Sequence, residues 1–220
     1  MKSPTASYVV PALDEEAYIG ECLESIYGLK TDESYEVLVV DGGSSDATRE
    51  IARESGARVV MQEGEGIGDA RDLGARHADG DWLAFVDADT IVDSRHLDEM
   101  LAFATENDLV AATSRVRMVD CYRAKLMQWT LNHLFSRFRR PVLPGFNFFV
   151  DADVYDEAGG FPDVPNEDTA FSLRVARHGD TAYHPEVLVN SSGRRVAELG
   201  LTGTLLHYLL LDAGRYWAEY

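Results

Sequence analysis

The feature that most constrains the fold of this chain is a regular alternation between short apolar runs and stretches with helical periodicity. The apolar runs are too short for buried helices and are bounded by turn-forming residues, so we expect them to be strands. Buried strands that alternate with helices form a mostly parallel sheet that is covered by helices on both faces. In the first half of the chain, the predicted strands are 7–12, 35–40, 57–61 and 82–86, and the predicted helices are 15–29, 46–55 and 67–78.

The second half of the sequence is less regular. A basic, aromatic-rich segment is predicted to be helical over 116–140, and the prolines at 141 and 144 end it. Because no linker or repeat interrupts the 220 residues, we expect a single Rossmann-like α/β domain with a helical C-terminal portion. The remaining predicted elements are strands at 145–150 and 181–189 and helices at 151–158, 167–178 and 198–220.

The chain is strongly acidic, with a formal net charge of −18. A surface of this charge repels nucleic acid, so we expect no nucleic-acid partner. The acids are spread along the whole chain, which favours general solvation, as in proteins of a high-salt (halophilic) cytoplasm, over attraction of cations or of a basic partner. Cys22 and Cys121 form no CxxC pair, the N-terminal residues lack an apolar signal sequence, and no apolar run could span a membrane. These features predict a cytoplasmic protein.

Acidic residues follow three of the predicted strands. Asp14 and Glu15 follow the first strand, the segment 41–46 follows the second, and Asp87 and Asp89 follow the fourth. The carboxyl ends of parallel strands lie at one edge of a sheet, and open α/β proteins bind their ligands at this edge. The sequence therefore predicts a ligand site that is formed by these three loops.

The Asp87-Ala88-Asp89 motif has the spacing of a cation site. Residues i and i+2 at the end of an extended strand point to the same side, so both carboxylates can bind one hard cation. Magnesium or manganese held there would bridge the two phosphates of a nucleotide diphosphate. The alternative interpretation is a solvated turn at the end of the strand.

The DGGSSD motif at 41–46 joins a strand to a helix. Its glycines allow the backbone to approach a ligand closely, and Asp46 is a suitable N-cap for the helix. A simple helix start would explain Asp46 but would leave Asp41 and the double glycine without a role. The Asp41 carboxylate could instead accept hydrogen bonds from a nucleobase or a ribose.

Four segments in the same order resemble the motifs of family 2 glycosyltransferases, which have the GT-A fold. The resemblance covers about residues 6–180 and implies inverting transfer of a hexose-like sugar from a nucleotide diphosphate sugar with a magnesium or manganese ion. It also implies a nucleotide-sugar-binding half at 1–113 and an acceptor half at 114–220. The segments are VVPALDEE, VLVVDGGSSDAT, GDARDLGARHADGDWLAFVDADT and GFNFFVDADVYDEAGGFPDVPNEDTAFSLRVARHG.

The resemblance assigns roles to individual residues. By position, the nucleotide-sugar-binding residues are Pro11, Leu13, Glu15, Asp41, Gly43, Arg71, Asp87 and Ala88; the metal ligands are Asp87 and Asp89; and the catalytic residues are Glu167 and Asp168. The second acid of the last pair usually serves as the general base in the family. Candidate residues for binding an acceptor or a phosphate are Gly145, Arg194 and Arg195.

Some of these assignments have alternatives. Asp168 begins a predicted helix, where its carboxylate could be only a cap. Arg71 could face a phosphate or lie on a helix surface, and Arg194 and Arg195 could belong to a surface turn. The sequence also departs from the family at Asp14 and Asp72, where asparagine is frequent.

The segment from Arg115 to Arg140 carries seven basic side chains and one acid, interleaved with large apolar residues such as Trp129 and Phe135. This pattern is typical of a helix that lies in a membrane interface. A similar arrangement in family members that use polyprenyl-phosphate acceptors predicts a lipid-linked acceptor and peripheral contact with the inner face of the cell membrane. The alternative is a helix that packs on the sheet and pairs its charges with the acidic body.

Other functional classes fit the sequence less well. A sugar-nucleotide nucleotidyltransferase would have a glycine- and lysine-rich first loop, whereas this chain has PALDEE. The glycines of 64–68 do not form GxGxxG, which argues against a dinucleotide oxidoreductase. The intact acidic motifs argue against a non-catalytic protein that only binds sugar nucleotides. The six histidines lack metal-ligand spacing.

Overall fold

The structure is a computed structural model that describes residues 3–119, 124–137, 140–164 and 166–192. The strands are β1 (Ala6–Ala12), β2 (Tyr35–Asp41), β3 (Arg58–Met61), β4 (Trp82–Val86), β5 (Thr90–Val92), β6 (Leu109–Val119), β7 (Asn147–Asp151) and β8 (Asp180–Ser192). The helices are α1 (Ile19–Tyr27), α2 (Thr48–Glu54), α3 (Ile67–His77), α4 (His96–Glu106), α5 (Ala124–Trp129), α6 (Ala152–Glu157) and α7 (Glu167–Val175), and α5 continues into a π-helical turn (Thr130–Leu134) and a 3₁₀ turn (Phe135–Arg137).

All eight strands form one sheet in the order β3-β2-β1-β4-β7-β6-β8-β5. Strands β3, β2, β1 and β4 are parallel neighbours, whereas β7 runs antiparallel between β4 and β6. Strands β6 and β8 are again parallel, and β5 pairs antiparallel with β8. The predicted α/β class with a mostly parallel sheet is therefore confirmed, and the antiparallel strand β7 separates its two halves.

Helices cover both faces of this sheet and bury two apolar layers. On one face, Tyr8 and Val10 of β1 pack with helices α1 and α4. On the other face, Val9 packs with α3, α6 and α7, where Phe171 is fully buried. Successive side chains of a strand point to opposite faces, so a strand that is covered on both sides must be apolar throughout. This explains why the strands of the first half appear in the sequence as continuous apolar runs.

The predicted helix at 116–140 is wrong in its first part. Residues up to Val119 belong to strand β6, in which Val116 and Met118 are buried while Arg117 is exposed. This alternation has the period of a strand with one covered face. Strand β5, helix α4 and the first part of β6 were not predicted, and helix α5 is described over Ala124–Trp129.

Some sequence-based expectations lie outside the described residues. These are the helix at 198–220 and the phosphate-binding candidates Arg194 and Arg195. Among the described residues, no helix has both the length and the apolarity that are needed to cross a bilayer.

Candidate active site

The loop after β1 is fastened to the loop after β2. Asp14 has a φ of 53°, a conformation that aspartate tolerates better than most residues. Its Oδ1 accepts hydrogen bonds from the backbone N–H of Ser45 at 2.7 Å and from the Ser45 hydroxyl at 3.1 Å. The backbone N–H of Glu15 donates to Thr48 Oγ1 at 2.7 Å. These bonds keep the chain out of the helix that was predicted to begin at residue 15, so α1 begins at Ile19 and Glu15 stays at the edge of the sheet.

The Asp41 carboxylate is fully buried and holds the loop after β2. It accepts hydrogen bonds from the backbone N–H groups of Gly43 and Ser44, and Arg49 Nε pairs with its Oδ2 at 3.0 Å. Neither Asp41 nor Gly43 lines the cavity described below, whereas Gly42 does. In this position the Asp41 carboxylate holds the loop, and its hydrogen bond to a nucleobase or a ribose stays a prediction.

A cavity of about 890 Å³ opens at the carboxyl edge of the parallel strands. One end is formed by the loops after β1, β2 and β3, and the other end is formed by apolar side chains of β6 and of the segment 124–137. The structure brings these sequence-predicted site residues together in its wall: Pro11, Leu13, Glu15, Arg71, Asp87, Ala88, Asp89, Gly145, Glu167 and Asp168.

Arg71 of α3 lies at the centre of this wall and is only 3% exposed. Its Nη2 pairs with Asp87 Oδ1 at 2.8 Å, and its Nη1 pairs with Glu167 Oε1 at 2.5 Å. The guanidinium also lies over the ring of Phe161, 5.3 Å from its centroid. Arg71 therefore joins the acidic motif after β4 to the acidic pair at the start of α7, and the interpretation of Arg71 as a surface residue is wrong.

The charges of this cluster stabilise one another. Burial by itself would lower the pKa of Arg71, but the carboxylates of Asp87 and Glu167 outweigh this effect, and the pKa is raised. Burial raises the pKa of Glu167 above its ordinary value, and the nearby Arg71 opposes that rise. The guanidinium is thus a permanent positive charge between two carboxylates.

Asp168 lies in the first turn of α7 and faces the cavity. Its Oδ2 accepts a hydrogen bond from the backbone N–H of Gly145 at 3.2 Å, and its Oδ1 accepts one from the N–H of Thr169 at 2.7 Å. The residue before the helix, Asn166, has a φ of 54° and makes no side-chain cap. The Asp168 carboxylate therefore does more than cap α7, because it also holds the loop before β7.

Asp87 and Asp89 supply hard oxygen donors of the kind that magnesium and manganese prefer. Within the described residues, no group of three or more acidic, histidine or cysteine side chains converges into a complete cation site. Magnesium commonly binds to one or two carboxylates and completes its shell with substrate phosphates and water. The residues present fit a cation that binds together with a phosphate ligand.

Several cavity residues were not recognised in the sequence. Gln62 and the turn that contains Gly64 and Gly66 form the wall near β3. The spacing of these glycines argues against a dinucleotide loop but does not by itself predict a wall of this cavity, and no sequence signal identifies Gln62. The apolar end also escaped prediction, and it contains Met118, Met127, Leu131, Leu134, Phe135 and Phe146.

The close approach of Gly145 to Arg71 gives a stability prediction. A Cβ atom at position 145 would lie 2.5 Å from Arg71 Nη1 and 2.6 Å from Cζ, so alanine must displace the guanidinium. We expect Gly145→Ala to lower the free energy of unfolding by about 1–3 kcal/mol in urea titrations. The matched control is Gly20→Ala in α1, whose Cβ would meet only Ile51 at 3.7 Å. Equal stabilities of the two variants would contradict this role of Gly145.

Comparisons of the sequence identify related proteins. A family model described as Glycosyl transferase family 2 matches residues 7–156. The chain is 32% identical over 161 residues to a Haloferax volcanii protein named low-salt glycan biosynthesis hexosyltransferase Agl6, which covers 72% of this chain and 38% of that protein. It is 35% identical over 126 residues to the putative glycosyltransferase EpsH of Bacillus subtilis, covering 54% of this chain and 36% of the relative. The chain thus spans little more than a third of the length of these relatives.

Solved structures share the fold. TarS 1–349 of S. aureus superposes with a TM-score of 0.72 at 22% identity, covering 86% of this chain and 60% of that chain. A glucosyl-3-phosphoglycerate synthase from Mycobacterium tuberculosis, solved with Mn²⁺, UDP and glucosyl-3-phosphoglycerate, superposes with a TM-score of 0.70 at 23% identity. The latter match covers 95% of this chain and 79% of that chain. These likenesses confirm the predicted GT-A type of fold.

Proposed function

Since the chain belongs to glycosyl transferase family 2, we propose that its cavity binds a nucleotide diphosphate sugar and transfers the sugar to an acceptor hydroxyl or phosphate. One observation carries the proposal: the metal motif Asp87/Asp89 and the acidic pair Glu167/Asp168 line the same cavity at the carboxyl edge of the sheet. In this proposal, the nucleotide occupies one end of the cavity and the acceptor occupies the other end.

The sheet order supports a position of the donor at one end of the cavity. Asp87 follows β4, and the loops after β1, β2 and β3 lie successively on one side of it. A diphosphate held near Asp87 and Asp89 would therefore extend its nucleoside over Pro11, Leu13 and Gly42. A bound divalent cation would supply positive charge that neutralises the diphosphate leaving group.

Asp168 is proposed as the general base of an inverting displacement. When the acceptor is a hydroxyl, its oxygen attacks the anomeric carbon on the face opposite the diphosphate, the bond from that carbon to the phosphate oxygen breaks, and Asp168 takes the hydroxyl proton. An ionised phosphate acceptor would attack in the same way without a proton to remove. Glu167 is less suited to this role because Arg71 occupies its Oε1 at 2.5 Å. The hydrogen bond from Gly145 holds Asp168 at the wall of the cavity.

The apolar end of the cavity supports a lipid-linked acceptor, such as a polyprenyl phosphate. Within the segment 124–137, the side chains of Met127 and Leu131 are buried. Those of Leu126 and Trp129 are 48% and 55% exposed on its outer side. Lys125, Arg137 and Arg140 are exposed close to them in the sequence. Exposed aromatic and basic side chains are typical of a surface that contacts an anionic membrane.

One sequence-based expectation for this surface needs correction. The sequence pattern predicts that Phe135, like Trp129, belongs to the membrane-facing side of an interfacial helix, but Phe135 packs against the core and lines the cavity. The π-helical turn that follows α5 places Trp129 and Phe135 in different surroundings. Phe138 and Arg139 lie outside the described residues.

We expect the parent protein to float with vesicles of anionic phospholipid. The double variant Leu126→Ser/Trp129→Ser should reduce the bound fraction at least about tenfold, because each large side chain contributes about 1.5–3 kcal/mol when it is buried in the membrane. High salt should weaken the charge contribution of the parent and leave the apolar contribution. Met61→Ser is the control, because Met61 is 43% exposed at the end of β3, at the far side of the sheet. A parent that fails to float at either salt concentration would exclude the membrane contact and favour a soluble acceptor.

Donor binding can be tested by thermal unfolding. A nucleoside diphosphate at 100 times its dissociation constant adds about 2.7 kcal/mol to the stability. For a domain of this size we expect an increase in melting temperature of about 5–10 °C in the presence of manganese. If no nucleoside diphosphate raises the melting temperature, the proposed function is contradicted.

A further inference from the structure

The segment 141–146, called the wall segment below, forms part of the cavity wall and has no regular secondary structure. Its position is therefore set by side chains of neighbouring elements. The Tyr183 hydroxyl of β8 donates to the carbonyl oxygen of Val142 at 2.6 Å, which fixes the start of the segment. Near the other end, a Cβ atom on Gly145 would lie 2.5 Å from Arg71 Nη1, so the backbone lies directly against this guanidinium.

Two side chains of α7 hold the middle of the wall segment. Asp168 and Ser172 are four residues apart, so they lie on the same face of the helix. The Asp168 carboxylate accepts a hydrogen bond from the backbone N–H of Gly145 at 3.2 Å, and the Ser172 hydroxyl accepts one from the N–H of Leu143 at 2.9 Å. Pro144 lies between these two residues and has no N–H to donate. Every backbone N–H of residues 143–145 is thus paired with one acceptor of α7.

Ser172 fixes the register between the wall segment and the helix. The residue is only 1% exposed, and its hydroxyl donates to the carbonyl oxygen of Asp168 at 2.7 Å, which is nearer than the carbonyl oxygen of Leu143 at 3.2 Å. One hydroxyl oxygen therefore links the backbone of Asp168 to the wall segment. If the segment slipped by one residue along α7, Pro144 would face the Asp168 carboxylate and could not donate to it. The hydrogen bond from Leu143 to Ser172 opposes this slip.

We propose that Ser172 is a positioning residue for the general base Asp168, because it holds the wall segment in the register that lets Gly145 donate to the carboxylate. This inference rests on the proposed function. Ser172 does not itself line the cavity, so its effect on the reaction passes through Asp168. Without the Ser172 hydroxyl, the wall segment can shift and the carboxylate can rotate away from the acceptor. A small misplacement of a reacting group lowers the rate of a reaction strongly.

The first test observes the wall segment directly, by amide hydrogen exchange in NMR spectra of the protein. The Gly145 N–H donates to the Asp168 carboxylate in the register that Ser172 holds. We expect exchange of this N–H to be at least about tenfold faster in Ser172→Ala than in the parent protein. Unchanged exchange of the Gly145 N–H would overturn the inference, because Ser172 would then not control the hydrogen bond to the carboxylate.

The second test measures the release of nucleoside diphosphate from a nucleotide sugar, with manganese and with water as the acceptor. We expect Ser172→Ala to lower kcat by about 10–100-fold, because the base is misplaced. The KM for the nucleotide sugar should change by less than about twofold, since the donor binds through other residues. In the Asp168→Asn variant the base is already absent, so adding Ser172→Ala should change kcat by less than about twofold.

Ser25→Ala is the matched control for both tests. Ser25 of α1 makes the same kind of paired bonds, because its hydroxyl donates to the carbonyl oxygen of Cys22 at 2.7 Å and accepts from the N–H of Val92 at 3.1 Å. It does not line the cavity. We expect Ser25→Ala to keep kcat within about twofold of the parent value and to leave the exchange of the Gly145 N–H unchanged.

The outcomes separate this inference from the proposed function. If the parent protein releases no nucleoside diphosphate from any nucleotide sugar, the proposed function is wrong and the inference is wrong with it. If the parent is active and Ser172→Ala keeps its kcat, only the role of Ser172 is overturned. The same holds if Ser172→Ala lowers kcat by one factor with and without Asp168→Asn, because a general loss of folding acts in this way.

Discussion

Replacing Asp168 with asparagine is expected to reduce the rate of sugar transfer by about 10²–10⁴-fold while nucleoside diphosphate affinity stays nearly unchanged. The amide has almost the same shape as the carboxylate, but it cannot take the proton of the acceptor at neutral pH. The carboxylate is held at the cavity wall by the backbone N–H of Gly145 at 3.2 Å, and asparagine can still accept this bond. The measurement is kcat and KM for transfer, together with the affinity for the nucleoside diphosphate.

Glu167→Gln is the matched control for this prediction. Glutamine keeps an oxygen that can accept the hydrogen bond from Arg71, so the geometry of the cluster is preserved with one charge less. Its effect on turnover should be clearly smaller than that of Asp168→Asn. If Asp168→Asn retained turnover within about threefold of the parent protein while Glu167→Gln abolished it, Glu167 would be the base.

Removal of the divalent cation is expected to weaken the binding of a nucleoside diphosphate by at least about 100-fold. Two phosphates and two carboxylates repel one another unless a cation lies between them, and such a cation supplies several kcal/mol. Asp89→Asn should have a similar effect in the presence of manganese. Asp87→Asn should also disturb Arg71, whose Nη2 lies 2.8 Å from Asp87 Oδ1, and therefore affect stability as well as affinity.

A nearby acid supplies the control for the cation. Asp93 follows β5 and pairs with the side chain of Arg95 at 3.2 Å, outside the cavity wall. Calorimetry of Asp93→Asn should give the parent affinity for the nucleoside diphosphate and the same sensitivity to a chelator. Equal affinities of the parent protein with cation and with chelator would show that the two carboxylates of the metal motif do not bind the diphosphate through a cation.

The parallel half of the fold was predictable because its strands are buried on both faces. Continuous apolar runs such as the one that became β4 have few other interpretations when helical stretches separate them. The same topology predicted that Glu15, Asp87 and Asp89 would lie at one edge of the sheet, and all three line the cavity. These predictions depended only on local periodicity and on a general rule of sheet topology.

Elements and contacts that depend on distant partners were not predictable. Strand β6 was interpreted as a helix in its last part because Arg115 and Arg117 suggested a basic helical face, whereas pairing with β8 gives it strand periodicity. The burial of Asp41 depends on Arg49, and the position of Arg71 depends on Glu167, which is 96 residues away. No local pattern specifies such pairs.

In the proposed function, this cavity breaks the bond between a sugar and a nucleoside diphosphate. The most direct measurement is the release of nucleoside diphosphate from a panel of nucleotide sugars, with manganese and with a chelator, for the parent protein and for Asp89→Asn. We expect release from at least one nucleotide sugar, and this release should depend on the cation and be lost in the variant. Pyrophosphate release from a nucleoside triphosphate and a sugar phosphate would indicate a nucleotidyltransferase instead. If nucleotide sugars bind but no nucleoside diphosphate is released with any of the acceptors tested, the assignment as an enzyme is contradicted.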